Sequence, residues 1–305
     1  MQHFTHASSD GRSTLAAYRT ETAQPRALLQ ISHGMCEYIL RYEQFANYLA
    51  QEGFLVFGHD HIGHGRSVAS HADLGYTAHR GGADCMVEDV HALALRMKAE
   101  YPDLPLFLLG HSMGSFVARA VLARYPNTYT AAILMGTAGP GMPTAAGRLV
   151  ARMIGAVRGE RYRSPLLYRL SFAGYNKRCG KGCSSAAWLT RNEAVVNAYV
   201  QDPLCAFVFT TCAYHDLFTL LGRVSSRGWA PTIRKDLPLL LVSGAEDPVG
   251  GFGRGVEEVR RRLLDAGVTD VTLSLYPGMR HEILNELGYE TVWSDLLTWM
   301  KKYIK

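Results

Sequence analysis

The chain has 305 residues, 48% of them hydrophobic and 19% charged, with a formal net charge of +5. That composition is ordinary for a soluble globular protein able to bury a substantial core. No stretch is long and apolar enough to span a membrane, and the opening MQHFTHASSDGRSTL lacks the apolar centre of a signal peptide, so a cytoplasmic location is expected. The six cysteines are scattered along a chain too large to need staples and are expected to be reduced thiols. Cys179 and Cys183, the one close pair, have no matching His or Cys pair, which argues against a metal centre.

The positive charge is concentrated. Residues 140–235 hold 14 Lys and Arg against 4 Asp and Glu, a net of +10, while the rest of the chain has a net of −5. A basic island of this kind is either a solvated helical surface or a patch drawn to anionic head groups or acidic substrates. No recognition motif accompanies it, so nucleic acid is not expected as a partner.

In chain order, a strand or hairpin is expected around Leu15 to Thr20, and a buried strand from Ala27 to Ser32 stops at His33-Gly34-Met35. Tyr42 to Glu52 has helical spacing and ends at Gly53; Phe54 to Gly58 is the next strand. It runs into Asp60-His61-Ile62-Gly63-His64-Gly65-Arg66-Ser67, whose irregular histidine spacing and interleaved glycines fit a tight turn better than a metal site. Gly82 to Glu100 is a long amphipathic helix closed by Tyr101-Pro102. Pro105 to Leu109 reads as a buried strand, Ser115 to Arg124 as a helix and Thr130 to Thr137 as a further β-prone run.

From about Met142 to Thr232 the pattern turns helical, without a run resembling a buried strand. Strand character returns at Pro238 to Val242, followed by a helix near Val256 to Ala266, a strand at Val271 to Tyr276 and a terminal helix from Tyr289. Strands alternating with helices imply a mostly parallel sheet covered on both faces, with a helical insertion over residues 140–235 and a core made of 1–139 and 236–305.

Between the strand at Pro105 and the helix that follows stands Gly110-His111-Ser112-Met113-Gly114, a G-x-S-x-G pattern. It places a serine on a sharp strand-to-helix turn with its hydroxyl above the sheet. A serine hydroxyl is a weak nucleophile near neutral pH and needs a base, itself oriented by an acid, in the chain order Ser, Asp or Glu, His. His281, in the loop after Val271 to Tyr276, is the expected base. The acid belongs in Ser243-Gly244-Ala245-Glu246-Asp247-Pro248, where two carboxylates compete. Asp247 is chosen because Pro248 restrains its backbone; Glu246 then reads as a solvated loop charge. The oxyanion needs backbone N–H donors, assigned to Met113 and to Met35. Gly34 allows close approach of that loop, and His33 reads as its support. This chemistry calls for no cofactor and no metal.

These pieces, together with His33-Gly34-Met35-Cys36-Glu37 before Arg41-Tyr42, Asp247-Pro248-Val249-Gly250 and Tyr276-Pro277-Gly278 leading to His281-Glu282, resemble the monoacylglycerol lipase and lysophospholipase group of α/β-hydrolases, classed with the serine aminopeptidase-like hydrolases. The likeness covers nearly the whole chain. It departs at Cys36 and Tyr38, where the family often has a small residue and a histidine. The resemblance implies an α/β-hydrolase fold in which residues 140–235 cap the serine and form an apolar tunnel for an acyl chain. It also places Glu37 and His111, with His33 and Gly34, in support of the site. Phe172, Phe207, Phe209, Tyr214 and Phe218 are the substrate-contact candidates, in an insertion that also carries Tyr175 and Trp188 and needs a core of its own. The expected reaction is hydrolysis of a lipid ester through an acyl-enzyme. The alternatives are an amidase or peptidase of the same superfamily and a non-catalytic binding protein that keeps the fold. The oligomeric state is left open.

Overall fold

The computed structural model describes residues 1–79, 81–141 and 143–304. Eight strands form one sheet, β1 (Gln2–Ala7), β2 (Thr14–Arg19), β3 (Ala27–Ser32), β4 (Phe54–His59), β5 (Leu106–His111), β6 (Ala131–Met135), β7 (Leu239–Gly244) and β8 (Val271–Tyr276), in the order β1-β2-β4-β3-β5-β6-β7-β8. The β1–β2 and β2–β4 pairings are antiparallel, and every later pairing is parallel.

From β3 to β7 every strand residue is buried, which is why those strands read as unbroken apolar runs. The two faces are nevertheless distinct, because side chains alternate along a strand. In β5, Leu106 and Leu108 join the core beneath α2 (Gly82–Glu100), α3 (Met113–Arg124) and α8 (Arg254–Asp265). Phe107 and Leu109 join the opposite core, under α1 (Glu43–Gln51) and α9 (Tyr289–Lys301).

The strand missing from the sequence reading is β1. It lies at the sheet edge with an alternating, mostly exposed QHFTHA pattern, so it has no buried run to betray it. Between β6 and β7 the described residues form α4 (Thr144–Arg158), α5 (Pro165–Phe172), α6 (Glu193–Gln201) and α7 (Thr211–Ser225) and no strand. Met142, where that stretch was expected to begin, lies outside the described residues.

Strand order sets the position of the site. From β3 the chain crosses to β4 on one side, and from β5 onward it builds outward on the other, so the order reverses between β3 and β5. The loops leaving the carboxyl ends of these two neighbours must splay apart and open a crevice. Gly34-Met35 follow β3, and Ser112 follows β5.

Candidate active site

Ser112 sits at φ 53° and ψ −121°, in the left-handed half of backbone space that a serine seldom occupies. The strain is held in place on both sides. Its N–H donates to the Met135 carbonyl at 2.9 Å, and its carbonyl accepts from the N–H of Ser115 at 2.9 Å and from the Ser115 hydroxyl at 2.6 Å. Gly114 makes the turn possible, since a Cβ there would stand 2.0 Å from the carbonyl oxygen of Ser32. Because α3 starts at Met113, the N–H of Met113 belongs to a helix's first turn and has no intrahelical acceptor.

The loop after β3 crosses close to the serine: a Cβ on Gly34 would lie 3.1 Å from that of Ser112. Glu37 fixes this loop by accepting from the N–H of Gly34 and from the Tyr42 hydroxyl at 2.8 Å, with His111 Nδ1 at 3.0 Å. Burial works against an ionised Glu37, but His111 and Arg41 outweigh it and hold the carboxyl far below its usual range. The same contact raises His111 despite its burial. His33 is fully buried; its Nδ1–H donates to the carbonyl of Gly34 at 2.8 Å, and its Nε2 accepts from the His61 N–H at 2.8 Å. Burial lowers its pKa to about 4, so it braces the loop as a neutral imidazole.

After β7, Asp247 is wholly buried and places Oδ2 2.9 Å from His281 Nδ1, while Oδ1 accepts from the N–H of Val249 at 2.8 Å. Burial alone would raise this carboxyl; the facing His281, two hydrogen bonds and the Ser243 hydroxyl at 3.1 Å bring it below the usual carboxylate value. Its neighbour Glu246 turns outward to Arg178, 3.3 Å away. The His281 ring is held between Trp188, 5.0 Å between centroids, and His111, 4.7 Å. With Nδ1 directed at Asp247, Nε2 is the ring nitrogen that remains.

Ser112, His281, Met35 and Met113 border one cavity. From the helical insertion, Phe172 and Phe218 line it, as do Tyr175, Trp188 and Tyr199. Phe207, Phe209 and Tyr214 are not in its wall. They form an aromatic row that packs the insertion onto the turn after β4: Phe209 is 5.3 Å from the His64 ring, 6.1 Å from Phe207 and 5.8 Å from Tyr214. Apolar residues that core a cap and those that line its pocket are alike in sequence. Tyr199, Arg41 and Glu282 have no role readable from the sequence, although Arg41 stands four residues after Glu37 and Glu282 follows the expected base.

Known proteins resemble this chain over most of its length. A family profile described as serine aminopeptidase, S33 matches residues 23–288. The monoacylglycerol lipase of Mycolicibacterium smegmatis is 30% identical over 296 residues, covering 93% of this chain and 91% of the relative. Monoglyceride lipase of Mus musculus is 29% identical over 302 residues, 97% of this chain and 89% of the relative. The crystal structure of a thermostable carboxyl esterase from Bacillus coagulans, in complex with glycerol, superposes with a TM-score of 0.93 at 26% identity, over 100% of this chain and 99% of that one. The chain has the α/β-hydrolase fold and belongs to the serine aminopeptidase, S33 family.

Proposed function

We propose that this protein hydrolyses carboxylic esters of lipids, a monoacylglycerol or a lysophospholipid, through a Ser112-His281-Asp247 triad. The observation that carries the reading is the strained Ser112 turn in the same apolar-walled cavity as a His281 whose Nδ1 is engaged by the buried Asp247. His281 Nε2 takes the hydroxyl proton as Ser112 Oγ attacks the ester carbonyl, and the N–H groups of Met35 and Met113 stabilise the oxyanion. Collapse returns that proton to the departing alcohol and leaves an acyl-enzyme. Water, deprotonated by His281, then releases the acid and restores the serine. Asp247 keeps the imidazole in the tautomer with the proton on Nδ1.

Residues 140–235 act in this reading as a cap over a core of 1–139 and 236–305. Phe172, Phe218 and Trp188 offer an acyl chain an apolar wall. Peptidase activity is less well served. An aminopeptidase must hold a substrate ammonium with a carboxylate, and the two carboxylates bordering the cavity, Glu37 and Glu282, are both engaged by Arg41.

The outer surface of the cap supports contact with an anionic lipid surface. On α4, Leu149, Met153 and Val157 recur every four residues and are 56%, 52% and 82% exposed, with Arg148, Arg152 and Arg158 exposed beside them. No helix among the described residues is long and apolar enough to cross a membrane. All six cysteines are free thiols, and a cytoplasmic location belongs to this reading.

The reading is tested by comparing turnover of a monoacylglycerol, a lysophospholipid and an aminoacyl amide. Preference for either lipid ester is expected, and preference for the amide would contradict it.

A further inference from the structure

Two carboxylates of the cavity wall belong to a buried charge cluster that takes no part in the proton transfers above. Arg41 Nη1 donates to Glu37 Oε2 at 2.9 Å and to Glu282 Oε1 at 2.8 Å, while Nη2 donates to Glu282 Oε2 at 2.7 Å. Side-chain exposures are 11% for Arg41, 5% for Glu37 and 4% for Glu282. Each carboxylate belongs to a different working loop. Glu37 holds the N–H of Gly34, next to the Met35 donor, and Glu282 is the residue after His281. His111, drawn toward its charged form by Glu37 against its burial, stands beside the two carboxylates and packs on the His281 ring.

The cap closes over the same point. The N–H of Glu282 donates to the Leu189 carbonyl at 2.7 Å, and the Tyr199 ring stands 5.0 Å from the Arg41 guanidinium. A buried ion cluster is a poor device for stability, because removing the charges from water offsets most of their attraction. Its worth lies in geometry. A guanidinium is a planar fork that fixes two carboxylates at once, which an ammonium on a flexible stem does not do.

We infer that Arg41 is a positioning residue that couples the oxyanion loop to the base loop, so that the Met35 N–H and His281 keep a single geometry around Ser112. The inference rests on the hydrolase reading above. It concerns the chemical step rather than substrate affinity, since the guanidinium does not line the cavity.

The test uses the full-length protein and a short soluble ester, p-nitrophenyl butyrate, with Arg41→Lys, Glu282→Gln and the double variant, each first shown to melt cooperatively. Arg41→Lys is expected to lower kcat by about 10- to 100-fold, the scale of a misplaced catalytic group, with KM within about threefold. Glu282→Gln keeps oxygen and nitrogen at the same place without the charge and serves if Arg41→Lys does not fold; the same loss in kcat is expected. Because the two act as one unit, the double variant should be no slower than about threefold below the slower single variant. Folded single variants with kcat within about twofold of the parent overturn the inference, as does a loss carried wholly by KM or a double variant in which the two losses multiply. Failure of the hydrolase reading shows separately, as an unaltered protein that neither turns over the ester nor reacts with a fluorophosphonate. That result removes the coupling with it, whereas an active parent with unaffected variants removes the coupling alone.

Discussion

Asp247 and Glu246 are adjacent carboxylates in one loop, and their surroundings separate them completely. Asp247 is buried with three hydrogen-bond partners and faces His281, while Glu246 spends its charge on Arg178 at the surface. Asp247→Asn should therefore lower turnover by roughly four orders of magnitude, since an amide at that place favours the wrong imidazole tautomer. Glu246→Gln should stay within about twofold of the parent, because removal of an exposed ion pair is worth little. Steady-state kinetics on both variants check the pair, and an unchanged Asp247→Asn would transfer the role to Glu246. At this scale Ser112, His281 and Asp247 were legible from motif and order, each at the end of a strand where the fold places its working loops. The Arg41 junction was not, because Glu37 and Glu282 stand 245 positions apart and only the closed sheet brings them to one guanidinium.

Elements with an apolar run or a clear apolar period announced themselves, and an edge strand with neither did not. The expected bounds for β3, α2 and β8 coincide with the observed ones, whereas β1 has no apolar run to read. In the cap the ambiguity is different. A helix needs apolar residues to pack on the core, and α4 meets that need through the buried Ala151 with the half-buried Val150 and Ile154 beside it, leaving Leu149, Met153 and Val157 outside. A second apolar row on the outward face is unusual for a helix resting in water alone and supports a lipid-facing role. Combining Leu149→Glu with Val157→Glu should reduce turnover of emulsified monoacylglycerol by about fivefold or more and leave a soluble short ester within about twofold. Equal rates on the emulsion would return the stripe to ordinary surface.

The whole molecule divides its charge, a cap of net +10 resting on a remainder of net −5, and the two are joined by ion pairs. Arg161 meets Asp73 at 2.6 Å, Arg191 meets Glu286 at 3.2 Å and Arg223 meets Asp84 at 2.8 Å. Part of the basic island is thus cap attachment, a purpose invisible until the fold shows which carboxylates lie beneath. The core also carries a second titratable liability. Burial depresses His33 to about 4 and His59 and His64 to about 3, and His61 lies well below its ordinary value for the same reason. Below pH 6.5 the unfolded chain binds protons at these four positions while the folded chain does not, so stability falls with pH from about 6.5 toward 4. Each imidazole contributes up to about 1.4 kcal/mol per pH unit across that window. Asp60, raised by burial to about 6, and Asp89, also raised by burial, act in the opposite sense but are fewer, and His111, raised by Glu37, adds no change below pH 6.5. The urea midpoint should be clearly lower at pH 5 than at pH 7, and equal midpoints would contradict this balance. The central claim is that Ser112 is the nucleophile, and the most direct measurement is the intact-protein mass after treatment with a fluorophosphonate. One adduct per chain, mapped to Ser112 and lost in Ser112→Ala, is the expected result; an unmodified parent, or an adduct that persists in Ser112→Ala, would contradict it.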